Sequence, residues 1–207
     1  MDMLFTAQDH PARELHDTFY LSIPSTMPLP DDELVEKIKS VHETGGETGS
    51  TGWGYKWSIE EAKKAMIRTH TTVNTINYLA NNNQPPSKVF SIGRVFRNES
   101  IDATHLPEFY QVEGIIYEEG ANFSMLIGTL KEFLKRLGFP KIRVRPGYFP
   151  YTEPSLEVDI YYNGEWMELA GAGIFRPEVV RPHGITQPVL AWGFGLERLA
   201  IVLTGLK

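Results

Sequence analysis

The chain has no cysteine, which excludes disulfide staples, thiolate nucleophiles and thiolate metal sites. Its six histidines lack zinc-type spacing such as an i, i+4 pair. No apolar run is long enough to span a bilayer and no signal-peptide pattern opens the chain, so a soluble protein with no membrane partner is expected. A cytoplasmic location is compatible with the missing cysteines. Positive charge is also scarce: 20 Lys and Arg against 26 Asp and Glu leave a formal net charge of -6. That argues against a broad basic face for gripping nucleic acid. If RNA is a substrate, other segments or subunits must supply much of the hold. No low-complexity tract or internal repeat is visible. What is present is enough apolar material for one substantial core, 42% hydrophobic over 207 residues, so one compact domain is expected.

Residues 10–23 begin polar and end in an aromatic stretch that could enter a strand. From Asp31 to His42, Leu34, Val35, Ile38 and Val41 recur at helical spacing behind acidic residues. A Gly/Thr/Ser-rich loop, TGGETGSTGWG, follows. Ser58 with Glu61 then fits a capping box, predicting a helix over 59–68. Between Lys88 and Glu118, the β-prone runs VFSIGRVFR and FYQVEGIIY flank a polar segment, as in a hairpin with a long loop. A helix is predicted over 124–137, stopped by Gly138. Strands are predicted over 141–145, 156–162 and 165–170, the last two joined by the turn Asn163-Gly164. The end, VLAWGFGLERLAIVLTGL, reads as a strand turning at glycines into an apolar helix. Hairpins with helices between them argue for an α+β fold, an antiparallel sheet carrying helices on one side.

Polar residues interrupt two of these apolar strands. Arg97 and Glu99 sit two apart, as do Gln111 and Glu113 on the return strand, so each pair shares a face. Such groups are costly in a buried strand unless they pair or meet a ligand. An arginine there forks two hydrogen bonds to a phosphate; a structural Arg–Glu pair across the hairpin is the plainer alternative. In GFGLER, Gly193 and Gly195 permit close approach of a ligand to the backbone, and Arg198 falls in the first turn of the last helix. A cation near a helix N-terminus opposes the dipole, so helix stability does not favour Arg198 there, and a surface arginine is its plain reading.

FRNE with its loop and strand resembles motif 2 of the class II aminoacyl-tRNA synthetases, and GFGLERLAIVL resembles motif 3. The segments HPAREL-HDTF, IRTHTT, FRNESIDATHLPEFYQVEG, FPYTEPS, ELAGAG and GFGLERL extend the resemblance over almost the whole chain. They are similar to the phenylalanyl-tRNA synthetase alpha-subunit family, and the 24–57 insertion and TEPS form to its archaeal and eukaryotic members.

The resemblance implies a class II antiparallel sheet flanked by helices, and activation of phenylalanine with ATP to phenylalanyl-adenylate. In the complete enzyme, transfer to the phenylalanine tRNA and pairing with a beta subunit would follow. It implies that Arg97 binds the ATP α-phosphate, Arg198 the far phosphates and adenine, Glu99 the adenine amine and His105 the pyrophosphate end, with Phe109 stacking on adenine. A core aromatic is the plain reading of Phe109. Gln111 and Glu113 would bind the substrate ammonium, with His70, Thr72 and His16 near the polar end of the amino acid. Phe149 and Tyr151 would wall the side-chain pocket, and Ala172 and Ala191 would leave room for a ring. Mg2+ would sit at Glu168, with Glu157 as a second carboxylate; a solvated strand-end charge is the plain reading of Glu168.

Motif 1 and the N-terminal tRNA-contacting region of the family have no counterpart in residues 1–207, so the sequence reads as an excised or reduced catalytic core. Two competing readings are a relative activating phosphoserine and a non-catalytic synthetase-like module. The first gains nothing cationic from Phe149 and Tyr151; the second would not need both arginines.

Overall fold

The computed structural model describes residues 1–14, 17–98 and 106–205. Asp31 accepts from the Leu34 amide and starts α1, Asp32–Thr44, which Gly45 ends in the left-handed conformation. Ser58 caps α2 as predicted, but α2 spans only Ile59–Lys63. Beyond it, the amides of Ala65 and Ile67 donate to the carbonyls of Ser25 and Phe19, and these tertiary bonds replace the expected helical ladder. The stretch expected to become a strand near residue 20 contributes one bridge, Tyr20 to Met66. An unpredicted helix, α3 at Thr72–Asn81, buries Thr72, Thr75, Ile76 and Leu79. Threonine at two core positions concealed its 3.6-residue apolar period.

The predicted hairpin is present as β1, Ser87–Phe96, and β2, Glu108–Tyr117. Asn122 then caps α4, Phe123–Arg136, by accepting from the Met125 amide at 3.0 Å. Next come β3, Ile142–Pro146, β4, Thr152–Tyr162, and β5, Glu165–Phe175. Asn163 and Gly164 both take positive φ, 48° and 90°, as a type I′ turn requires. A short α5, Pro177–Val180, precedes β6, Val189–Gly195, which runs directly into α6, Leu196–Thr204.

The chain divides into two compact units, each discontinuous in sequence. The first comprises residues 1–83, 94–109 and 177–186. Its interior is partly polar. Arg13 pairs with Asp2 at 3.0 Å and donates to the Thr6 carbonyl at 2.7 Å, and Trp57 donates to Asp2 at 2.9 Å. His42, fully buried, places Nε2 2.8 Å from the Asp2 carbonyl and Nδ1 2.8 Å from the Tyr55 hydroxyl. A carbonyl only accepts, so Nε2 carries the proton and Nδ1 accepts from Tyr55.

The second unit comprises residues 84–93, 110–176 and 187–207. Among the described residues six strands form one sheet, in the order β1-β2-β6-β5-β4-β3. The pairs from β2 to β3 are all antiparallel. One face packs on α4: Leu156, Val158, Ile160, Ala170, Ala172 and Phe194 share a core with Leu126, Leu130 and Leu134. The opposite face carries the candidate site.

Candidate functional site

Register builds the site. Arg145, Glu157, Gly171, Gly193 and Glu113 are successive neighbours across β3, β4, β5, β6 and β2, and directly paired residues point to the same face. Two side-chain-free positions thus lie in the middle of a charged row. Neighbouring side chains occupy the space they leave. A Cβ on Gly171 would come 2.5 Å from Phe149 Cζ, and one on Gly193 would come 2.7 Å from Gln111 Nε2. Ala191, paired with Gly173, belongs to this same floor.

The floor has an apolar and a polar end. Phe149 and Tyr151 stack with ring centroids 6.0 Å apart, and Tyr151 meets Phe175 at 6.5 Å. At the other end the Gln111 amide donates to the Glu113 carboxylate at 3.1 Å, with Gln111 8% and Glu113 3% exposed. An acceptor pair beside an aromatic wall offers an ammonium and an apolar ring separate places. Ala172 is placed elsewhere: its partners are Leu156 and Trp192, it belongs to the α4 core, and it does not line the floor. The period of two puts Gly171 and Gly173 on the floor instead.

Beyond Glu157 the same face becomes an ion-pair cluster. Arg145 contacts Glu157 at 2.5 Å, Asp159 at 2.8 Å and Glu168 at 3.8 Å, and Arg143 contacts Asp159 at 2.7 Å. The buried Asp159 carboxyl is held below its usual pKa: burial works against this, and the hydrogen bonds from Arg145 and Arg143 outweigh it. Glu157 and Glu168 supply the oxygens a hard cation takes. No group of three potential ligands converges among the described residues, so these two carboxylates by themselves make only a partial set for such a cation. Arg198 donates to the Glu168 carbonyl at 2.9 Å from the first turn of α6. Beside it, Glu197 accepts from the Tyr110 amide at 2.8 Å.

The first unit holds the other expected residues. Just past β1, Arg97 donates from Nε to the Thr69 carbonyl at 3.0 Å, and its guanidinium carbon lies 5.0 Å from the Phe109 ring centroid, within cation–π range. The adjacent His70 accepts from or donates to the Thr69 hydroxyl at 2.8 Å through Nδ1. Burial drives its pKa down to about 3, and the positive charge of Arg97 acts in the same direction, so His70 is neutral at physiological pH. Thr72, buried, opens α3. A different Arg–Glu pair lies three residues before Arg97, Arg94 with Glu108 at 3.0 Å. Glu99, His105 and His16 lie outside the described residues.

Sequence reasoning found Gly193 but missed Thr69, Phe175, Asp159, Gly171 and Gly173. Asp159 was within reach, because it alternates with Glu157 on a predicted strand. Phe175 was not: only the β4–β5 pairing brings it beside Tyr151.

Comparison with known proteins identifies the family. A model of the tRNA synthetase class II core domain (F) matches residues 1–207. The chain is 55% identical over 207 residues to the phenylalanine-tRNA ligase alpha subunit of Archaeoglobus fulgidus, covering 100% of the chain and 43% of that protein. It is 55% identical over 213 residues to the Methanococcus maripaludis subunit, covering 99% of the chain and 42% of the relative. With the Methanospirillum hungatei subunit it shares 56% over 206 residues, covering 99% and 42%. The chain therefore spans about two fifths of the length of the curated relatives it matches.

Proposed function

Because the chain belongs to the family of class II tRNA synthetase core domains (F), we propose that it activates phenylalanine with ATP, giving phenylalanyl-adenylate and pyrophosphate. The observation that carries this is the floor of Gly171 and Gly193, with Gln111 and Glu113 at one end and Phe149, Tyr151 and Phe175 at the other. The substrate ammonium is held by the Glu113 carboxylate and the Gln111 carbonyl, and the ring lies against Phe149 and Tyr151. A phosphoserine side chain would find no cation in that aromatic wall.

The reaction is displacement at the α-phosphate: the amino-acid carboxylate attacks, the bond to the bridging oxygen breaks, and pyrophosphate leaves. Negative charge grows on the non-bridging oxygens, so catalysis is electrostatic and positional. Arg97 binds the α-phosphate; its Nε bond to the Thr69 carbonyl holds the guanidinium in one orientation. Phe109, under that guanidinium, provides the ring on which adenine stacks. Glu99 and His105 take the adenine amine and the pyrophosphate end. Arg198, fixed by the Glu168 carbonyl, takes the far phosphates. His70 and Thr72 serve the polar end of the amino acid, His70 as a neutral hydrogen-bonding group. Glu168 and Glu157 would hold Mg2+, which would supply charge neutralisation when bound.

In the complete enzyme, transfer to the 3′ end of the phenylalanine tRNA and association with a beta subunit follow, in the cytoplasm. The relatives' name, an alpha subunit, supports the second partner. No described helix is long and apolar enough to cross a membrane.

The test is phenylalanine-dependent ATP–pyrophosphate exchange by the folded chain with magnesium. Exchange with phenylalanine alone in an amino-acid panel is expected. No exchange, with calorimetric binding of only one of ATP and phenylalanine, would favour the non-catalytic module.

A further inference from the structure

We propose that Gly171 is a specificity-determining residue: its missing side chain sets how far the Phe149 ring sinks onto the sheet, and so how large a side chain the aromatic wall admits. This rests on the reading of that wall as an amino-acid pocket. A Cβ at residue 171 would meet three atoms of one ring, Phe149 Cζ at 2.5 Å, Cε2 at 3.0 Å and Cε1 at 3.2 Å, so the far edge of the ring lies on the Gly171 backbone. Conformation does not demand glycine here, since φ of Gly171 lies outside the left-handed region. The requirement is steric. Gly193, on the same row, differs in kind: its close neighbour is the amide end of Gln111, which moves cheaply.

Phe149 cannot slide away along the floor. Its carbonyl accepts from the Thr152 amide at 3.3 Å, its ring stacks on Tyr151, and Tyr151 is backed by the buried Phe175. With a methyl at residue 171, the ring edge must rise from 2.5 Å to an ordinary contact of about 3.5 Å. Its route is off the sheet, into the space above the floor. A change of one methylene in an apolar pocket discriminates by about 10–200-fold. A planar ring cannot fold around the raised edge, whereas the unbranched methionine side chain can.

Calorimetric titration of the purified chain with phenylalanine, methionine and ATP tests this in the wild type and in G171A, F149L and the double variant. We expect G171A to weaken phenylalanine about tenfold or more and methionine less than about threefold, with ATP affinity unchanged. Leucine at residue 149 lacks the ring edge, so adding G171A to F149L should change phenylalanine affinity by less than about twofold. An unchanged phenylalanine affinity in G171A overturns the inference. So does a G171A effect that persists in the F149L background, or a parallel loss of phenylalanine, methionine and ATP binding. Should G171A alone not fold, the comparison of F149L with the double variant decides, a further tenfold loss counting against the inference. A wild-type chain that binds ATP and no amino acid overturns the pocket reading itself, and this claim with it.

Discussion

A carboxylate that is 3% exposed, as Glu113 is, needs donors around it to stay ionised. Gln111 provides one from two residues away on the same strand face. In the proposed reaction the substrate ammonium provides another, making a charge-assisted bond worth about 1.5–3 kcal/mol. Glu113→Gln removes the charge while keeping the shape. It should raise the phenylalanine KM in pyrophosphate exchange by roughly 10–100-fold, with the ATP KM nearly unchanged. An equal rise in both constants would place Glu113 in the scaffold rather than against the substrate. The spacing of Gln111 and Glu113 was legible in the sequence. The bare floor beside them was not, because ELAGAG alone does not say which of its small residues face the site. Register assigns Gly171 and Gly173 to the floor and Ala172 to the α4 core.

Elements agreed with the sequence where local chemistry decided them. Asn122 caps α4, whose Leu126, Leu130 and Leu134 close the core on the side of the sheet away from the site. Asn122→Ala should therefore lower stability by about 1 kcal/mol, and Asn122→Asp, which keeps the accepting oxygen, should restore most of it. Urea unfolding followed by fluorescence in a background that keeps only Trp192 measures both; an unaffected midpoint in the alanine variant would mean that the cap bond contributes nothing. Disagreements arose where distant backbone intervened. The Ser58 cap starts α2 correctly, yet hydrogen bonds from Ala65 and Ile67 to residues 19–25 end it early.

For the whole molecule, buried and half-buried histidines set the response to acid. His42, His70 and His183 all have pKa values lowered from 6.5, first by burial, His70 to about 3. The unfolded chain takes up these protons first, so stability is complete above the unfolded value of 6.5 and falls as pH drops toward the folded values. Each contributes at most about 1.4 kcal/mol per pH unit within its window. All three belong to the unit of residues 1–83, 94–109 and 177–186. That unit, reported by Trp53 and Trp57, should begin to lose stability between pH 6.5 and 5. The other unit, whose Asp159 is held ionised by arginines, should yield only at lower pH. Single-tryptophan variants unfolded in urea at stepped pH would measure this, and equal loss in both units would contradict it. The sequence by itself determined the class of the protein, the order of its strands and of most of its helices, and most residues at the two ends of the floor. Those follow from local periodicity, caps, turns and motif spacing. Tertiary structure alone decided which small residues form the floor, how Asp159 closes the arginine cluster, how Phe175 backs Tyr151 and that the chain divides into two units. Each of these depends on pairing between residues far apart in the chain, which no local pattern encodes.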